Sequence, residues 1–184
     1  MISGKHAEAA RLIDCTEREH SAAILAIINE AIVNSTAIYD YELRTAESMV
    51  NWFASKRIGG YPVIGAVDVH GSLLAFATWG PFRSFPAYKY TVEHSVYVEN
   101  KYRGRGLGKL LLRELIHRAE KSQLHVMVAC IDASNAASIS LHTQLGFTHA
   151  GTIKEVGFKF GNWVDAAFYE LKLQTPLEPK DGIP

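Results

Sequence analysis

Cysteine is scarce in this 184-residue chain: Cys15 and Cys130 are the two present, both in apolar stretches, and two are too few for a disulfide scaffold. They read as free thiols in a reducing compartment. Proline is scarce too, six in all, and three of the six fall between Thr175 and Pro184, where a loose tail is expected. Neither sign of charge prevails, because Lys+Arg and Asp+Glu both number 19. A general nucleic-acid binder or an electrostatic membrane binder would carry a basic excess, so both are disfavoured. Long apolar runs are missing as well: nothing approaches the ~20 residues of a membrane span, and the N-terminus has no signal-peptide core. The expectation is a cytoplasmic globular domain without a metal, membrane or nucleic-acid partner.

What is present suits one packed domain. Hydrophobic residues make up 48% and charged residues 21% of the chain, well outside the disordered regime. Residues 1–10 carry no strong period and are expected to be flexible, 11–173 to form a single domain, and 174–184 to trail. Arg11 to Cys15 reads as a first strand. Thr16 with Glu19 makes a capping-box pattern, and Ile24, Ile27, Ile28, Ala31 and Ile32 recur at helical spacing, which predicts a helix over 17–33. A second helix spans Ala46 to Lys56 and stops at Gly59-Gly60.

The period then shifts to two. Strands are expected at 62–68 and 72–79 around a His70-Gly71 turn, and at 90–98 after an aromatic loop from Gly80 to Pro86. A helix follows from Leu107 to about Lys121, then a strand at 124–131 and a short helix at 136–145. Two last strands lie at 147–160 and 163–173, turning at Gly161-Asn162. The order is β-α-α-β-β-β-α-β-α-β-β, a mixed α/β domain.

Between strand and helix stands Arg103-Gly104-Arg105-Gly106-Leu107-Gly108-Lys109. Glycines there let the backbone approach a bulky anion, and the helix N-terminus adds partial positive charge. The natural guest is a diphosphate. The loop lacks the Gly-Lys-Ser/Thr ending of a P-loop and the acidic partner of a dinucleotide site, which counts against a generic nucleotide binder.

Val96-Tyr97-Val98 followed by Arg103-x-x-Gly106-x-Gly108 resembles motif A of the Gcn5-related N-acetyltransferase superfamily. Asn135-Ala-Ala-Ser138-Ile-Ser-Leu141-His142-Thr-Gln-Leu-Gly146-Phe147 resembles its motif B. Finer features resemble the phosphinothricin and methionine sulfone/sulfoximine N-acetyltransferase branch: Asn29-Glu30-Ala31, Thr36-Ala37-Ile38-Tyr39, Gly80-Pro-Phe-Arg83, Tyr90-Thr-Val-Glu93-His94-Ser95-Val96-Tyr97-Val98 and Lys159-Phe-Gly-Asn-Trp163. The resemblance implies a mixed central sheet of about seven strands, helices on both faces, and two strands splayed at an acetyl-CoA site.

It further implies that Val96, Tyr97 and Val98 offer backbone groups to the pantetheine arm, that the amides from Arg103 and Gly104 through Arg105, Gly106, Leu107 and Gly108 to Lys109 hold the pyrophosphate, and that Asn135 bonds the pantetheine. An α-amine is mostly protonated at neutral pH, so direct acetyl transfer through a tetrahedral intermediate gains from a base. Glu93, a carboxylate in an apolar β run, is the candidate. His142 stands where many relatives carry a tyrosine; it could donate to the leaving sulfur or help the base. His94 is expected on the opposite face from Glu93 and outside the mechanism.

For the acceptor, Arg83 among Phe82, Phe85 and Tyr88 suits a carboxylate, phosphinate or sulfone oxygen, with Tyr39 and Tyr97 as walls. The large aromatics of that loop suggest a closed small-molecule pocket. A homodimer is expected, and toxin resistance is one role such residues could serve. The alternatives are a peptide or protein N-terminal acetyltransferase and a non-catalytic acetyl-CoA-binding sensor.

Overall fold

The structure, a computed structural model, describes residues 10–182. The flexible segment expected at 1–10 lies outside those residues except for Ala10, which packs against the core.

Strand β1 (Arg11–Asp14) leads into helix α1 (Glu17–Asn34). Thr16 caps that helix by accepting the Glu19 amide at 3.3 Å, but the reciprocal half of the expected box is absent. His20 Nδ1 takes the Thr16 N–H instead, at 3.0 Å. A complete capping box forms one helix later, where Thr45 and Ser48 exchange bonds at the start of α2 (Ala46–Ile58). Strands β2 (Val63–Val67) and β3 (Leu73–Pro81) form a hairpin whose turn is held by Asp68 Oδ1, which accepts from the His70 and Ser72 amides. Strand β4 (Thr91–Val98), helix α3 (Leu107–Lys121), strand β5 (Val126–Asp132), helix α4 (Ala136–Gln144) and the hairpin of β6 (Thr148–Lys159) and β7 (Asn162–Lys172) complete the chain.

The strands make one seven-stranded sheet in the order β1-β2-β3-β4-β5-β7-β6. β4 and β5 run parallel, and the remaining neighbours run antiparallel. Two apolar clusters sandwich the sheet. Ile24, Ile28, Met49, Phe53 and Phe76 fill the face under α1 and α2. Leu111, Leu112, Leu115, Met127 and Phe147 fill the other, under α3. Each such side chain contributes about 1.5–3 kcal/mol on burial, so a polar group inside either cluster is costly unless it is paired or used.

Three differences from the sequence reading have physical causes. Leu124 is claimed by the end of α3, its amide bonding Ala119 O at 3.0 Å, so β5 starts two residues late. β3 runs on through Gly80 and Pro81, which pair with Glu93 and Val92 and carry the aromatic loop to the start of β4. The described residues after Leu173 make contacts with the sheet. Thr175 Oγ1 donates to Leu124 O at 2.5 Å and Tyr90 Oη accepts the Lys180 amide at 3.0 Å, folding the segment back over β4 and β5.

Candidate active site

The β4–β5 ladder is short. Thr91, Val92 and Glu93 pair with Val126, Met127 and Val128, and beyond Glu93 the two parallel strands part. A cavity of ≈ 650 Å³ opens in the gap, lined along β4 by His94 to Val98 and along β5 by Ala129 to Asp132. Side-chain alternation divides it. Val92, Val96 and Val98 pack on the α3 face with Met127, Ala129 and Ile131, whereas Tyr97 packs on the α1 and α2 face. Glu93, Tyr97, Cys130 and Asp132 therefore share the α1 side, and His94 points to the α3 side.

At the far end of the gap the glycine loop forms a cradle. Gly104 and Gly106 have φ of +76° and +83°, and a Cβ on either would meet nothing within 4 Å. The first turn of α3 begins at Gly106 with no side-chain cap, so its leading amides are left to a ligand. Gly104, Gly106, Gly108, Lys109 and Arg103 all line the cavity, as do Val96, Tyr97, Val98 and Asn135. Gly108 also lets α3 and α4 approach each other, since a Cβ there would sit 3.1 Å from Leu141.

The cations are partly engaged elsewhere. Arg103 pairs with Glu30 at 2.9 Å and donates to Val98 O, tying α1 to the end of β4. Arg105 bonds Lys101 O and lies over Tyr102, while Leu107 is buried, so neither lends its side chain to the cavity. Asn135 caps α4 through the Ser138 amide at 3.0 Å.

Glu93 occupies the last paired position, beside the gap. Burial raises its carboxyl above the usual range, and the positive charge of Arg83 pulls it partly back. Burial, with a smaller push from the Glu93 charge, raises the Tyr97 and Cys130 groups, both of which line the cavity. A carboxylate lifted toward neutral pH is a better proton acceptor than an ordinary one.

His142 is 4% exposed. Its Nδ1 lies 2.7 Å from Ser138 O. A carbonyl accepts only, so Nδ1 carries a hydrogen, and Nε2 is buried without a partner among the described residues. Burial lowers its pKa, and the bond to the Ser138 carbonyl pulls the other way. His94, set aside in the sequence reading, lines the same cavity and stacks on His142 with ring centroids 5.1 Å apart.

The loop after α1 bears Tyr39, which lines the cavity and packs over Gly157. Burial, with the nearby Cys130 and Asp132, pushes its hydroxyl up to about 12. Two ties fix this loop: Thr36 donates to Asp132, and Lys159, 4% exposed, donates to Ile32, Ser35 and Ile38 carbonyls at 2.7, 2.9 and 2.6 Å. Sequence reasoning missed both. A lysine beside apolar Phe158 and Phe160 in a strand was the available signal for the second.

The closed acceptor pocket is not what the structure shows. Arg83 is exposed, stacks 4.2 Å over Phe82 and donates to Phe82 O. Phe85 and Tyr88 are 69% and 42% exposed, and neither they nor Arg83 line the cavity. Extending β3 through Pro81 holds the loop at the sheet's rim, above the acceptor side.

A mixed sheet split by a parallel pair that parts over an uncapped helix N-terminus leaves room for a long anionic ligand edge-on between its strands. Residues 12–147 match the Acetyltransferase (GNAT) family, and the chain belongs to it. It is 47% identical over 150 residues to the L-methionine sulfoximine/L-methionine sulfone acetyltransferase of Pseudomonas paraeruginosa, covering 82% of this chain and 87% of that one. A solved acetyltransferase of Acinetobacter baylyi ADP1 superimposes with a TM-score of 0.95 at 60% identity, over 96% and 99% of the two chains. A phosphinothricin acetyltransferase of Sinorhizobium meliloti, solved with acetyl-CoA, gives 0.89 at 34% identity, over 95% of each. The protein is an acetyltransferase.

Proposed function

We propose that this enzyme moves the acetyl group of acetyl-CoA to the α-amine of a small amino-acid-like acceptor of the methionine sulfone, methionine sulfoximine or phosphinothricin type. The observation that carries the reading is the gap beyond Glu93, with a diphosphate cradle at one end and a carboxylate of raised pKa at the other. The similarity to relatives named for those acceptors supports the substrate class.

The residues fit acetyl-CoA. The amides of 104–109 would hold the pyrophosphate, the free edge of β4 at Val96 to Val98 and the Asn135 side chain the pantetheine, and a β4 amide near Val96 or Tyr97 the developing oxyanion. Acetyl-CoA supplies an activated thioester. Glu93, through a water, takes the ammonium proton and frees the amine. Tyr39 and Tyr97 flank the acceptor, and Arg83 with Tyr88 approach it from the rim.

A homodimer completes the proposal. Phe158, Phe160 and Trp163 on the β6–β7 hairpin are 46%, 56% and 62% exposed, a patch suited to a second copy. The protein is read as cytoplasmic; among the described residues no helix is long and apolar enough to cross a membrane.

The exposed aromatic loop favours one second reading, a peptide N-terminus as acceptor. Thiol release from acetyl-CoA decides between them, measured with methionine sulfone, methionine sulfoximine, phosphinothricin, glutamate, a polyamine and a peptide. Saturable release with the first three supports the proposal. Release with the peptide alone transfers the function to the second reading, and silence with retained acetyl-CoA binding leaves a sensor.

A further inference from the structure

The register of β4 fixes which of its backbone groups are free. The Glu99 amide donates to Leu74 O at 2.9 Å, across the continuation of the β3–β4 ladder. Antiparallel bonding alternates, so Tyr97 and Ser95 turn their N–H and C=O toward β3, and Val98 and Val96 turn theirs toward the gap. The His125 and Val126 amides reach Tyr90 O from the β5 side, which keeps the same parity at the closed end. β5 has parted from β4 by Val96, so this stretch is an open strand edge inside a ligand cavity.

One group on that edge is already taken. The short 3₁₀ turn Asn100–Tyr102 brings the chain back, and Arg103 Nε donates to Val98 O at 3.2 Å. The same guanidinium is held from α1 by Glu30, at 2.9 Å. A planar fork makes both bonds in one orientation, which a compact ammonium does not. The second oxygen of Glu30 is buried without a partner among the described residues. A carboxylate left half satisfied on a helix is a cost that the Arg103 contact offsets. Ile27 and Ala31, three residues before Glu30 and one after it, line the cavity, as do Arg103 and Val98.

We propose that Glu30 and Arg103 are positioning residues that close the free edge of β4 at Val98 and so fix the register in which the pantetheine arm lies along it. This rests on the acetyl-CoA reading above. A strand edge repeats every two residues, roughly 7 Å, and an amide-bearing chain laid on it can slip by one repeat. With Val98 O committed, an arm shifted toward the glycine loop meets a carbonyl already bonded and a guanidinium in its path. The register that remains uses both groups of Val96 and only the N–H of Val98. The cradle anchors the diphosphate, and the clasp sets how the arm between cradle and Glu93 is laid, so that the thioester arrives beside the proposed base.

The test measures dissociation constants of CoA and of 3′,5′-ADP, which lacks the pantetheine arm, by calorimetry. It adds kcat at saturating acetyl-CoA, with an acceptor that releases thiol in the assay above. Glu30→Met and Arg103→Met keep the side-chain volume without the clasp. Each is expected to weaken CoA about fivefold or more and to leave 3′,5′-ADP within about twofold, which also reports an intact fold. Each should lower kcat about tenfold through a misplaced thioester. The double variant should be no worse than the poorer single one, because the pair acts as a unit. Arg103→Lys should behave like Arg103→Met. Recovery of CoA binding in Arg103→Lys, or equal weakening of both ligands in either Met variant, would make the clasp a charge for the phosphates or a structural tie and overturn the proposal. Additive losses in the double variant, or an unchanged kcat throughout, would do the same. Failure of the wild type to bind CoA at all removes the acetyl-CoA reading, and the register with it.

Discussion

Lys159, at the end of β6, reaches the carbonyl of Ile38, 121 positions earlier, at 2.6 Å. Helix α1 has no basic residue in its last turn, so this ammonium caps its C-terminus from across the chain and shapes the loop leading to Tyr39. Lys159→Met keeps the stem and strands three carbonyls. It is expected to cost about 3 kcal/mol in denaturant unfolding and to raise the acceptor KM well above any rise in that of acetyl-CoA. Lys159→Arg should not restore either, because a planar fork cannot replace a compact ammonium among three converging oxygens. Equal changes in both KM values would leave Lys159 a purely structural residue.

Glu93 combines a stability cost with the role of base proposed for it. Its folded pKa is raised, so ionising it near neutral pH opposes folding, and the contribution of its neutral form is lost as pH rises through that raised value. Glu93→Gln keeps the shape without the charge. Turnover should fall ~10²-fold or more with acetyl-CoA affinity nearly unchanged, while the melting temperature at pH 7 rises. Unchanged turnover would take Glu93 out of the mechanism.

Arg83 is the cation that restrains this carboxyl. Removing it in Arg83→Gln should let the Glu93 pKa climb further, moving the acid limb of the kcat profile to higher pH. Under the proposed function Arg83 approaches the acceptor from the rim, so the acceptor KM should rise more than that of acetyl-CoA. An unmoved acid limb would show that the rim loop lies too far from Glu93 to act on it in solution.

The order of elements and the shape of the glycine loop were legible because local chemistry writes them: glycines at positive φ in that loop, Asn135 as a cap, and strict alternation that separates Glu93 from His94. What stayed hidden depends on distant contacts. Lys159 meets α1 across more than a hundred residues, and the Arg103 side chain, at the edge of the glycine loop, pairs with Glu30 on α1. Spacing in the sequence says nothing about either. The acceptor loop was misread for a related reason: aromatic composition suits a closed pocket and an exposed rim equally, and only the extension of β3 to Pro81 decides between them.

The cradle distinguishes its last two glycines. At Gly106 no protein atom lies within 4 Å of an added Cβ, but φ is +83°; at Gly108 φ is ordinary and Leu141 is 3.1 Å away. Gly106→Val should therefore cost acetyl-CoA affinity about tenfold or more, through backbone strain and intrusion into the diphosphate space, with the core intact. Gly108→Val should instead lower thermal stability by displacing α4. Normal CoA binding by a folded Gly106→Val enzyme would contradict the loop assignment.

His94 gives the fold an acid sensitivity that can be read apart from catalysis. Burial, with a smaller push from His142, lowers its pKa from 6.5 to about 3. The unfolded chain takes up a proton below 6.5 and the folded one does not until about 3, so the stability His94 contributes is present above 6.5 and is lost as pH falls through that window. Between pH 7 and pH 5 the loss amounts to about 2 kcal/mol. His94→Phe removes both unpaired nitrogens and has no proton to gain. Urea unfolding at the two pH values should show the wild type losing this increment and the variant losing correspondingly less, with the variant at least as stable at pH 5. Parallel losses in both would mean that His94 is not held neutral, and that the ring reaches water in the free enzyme.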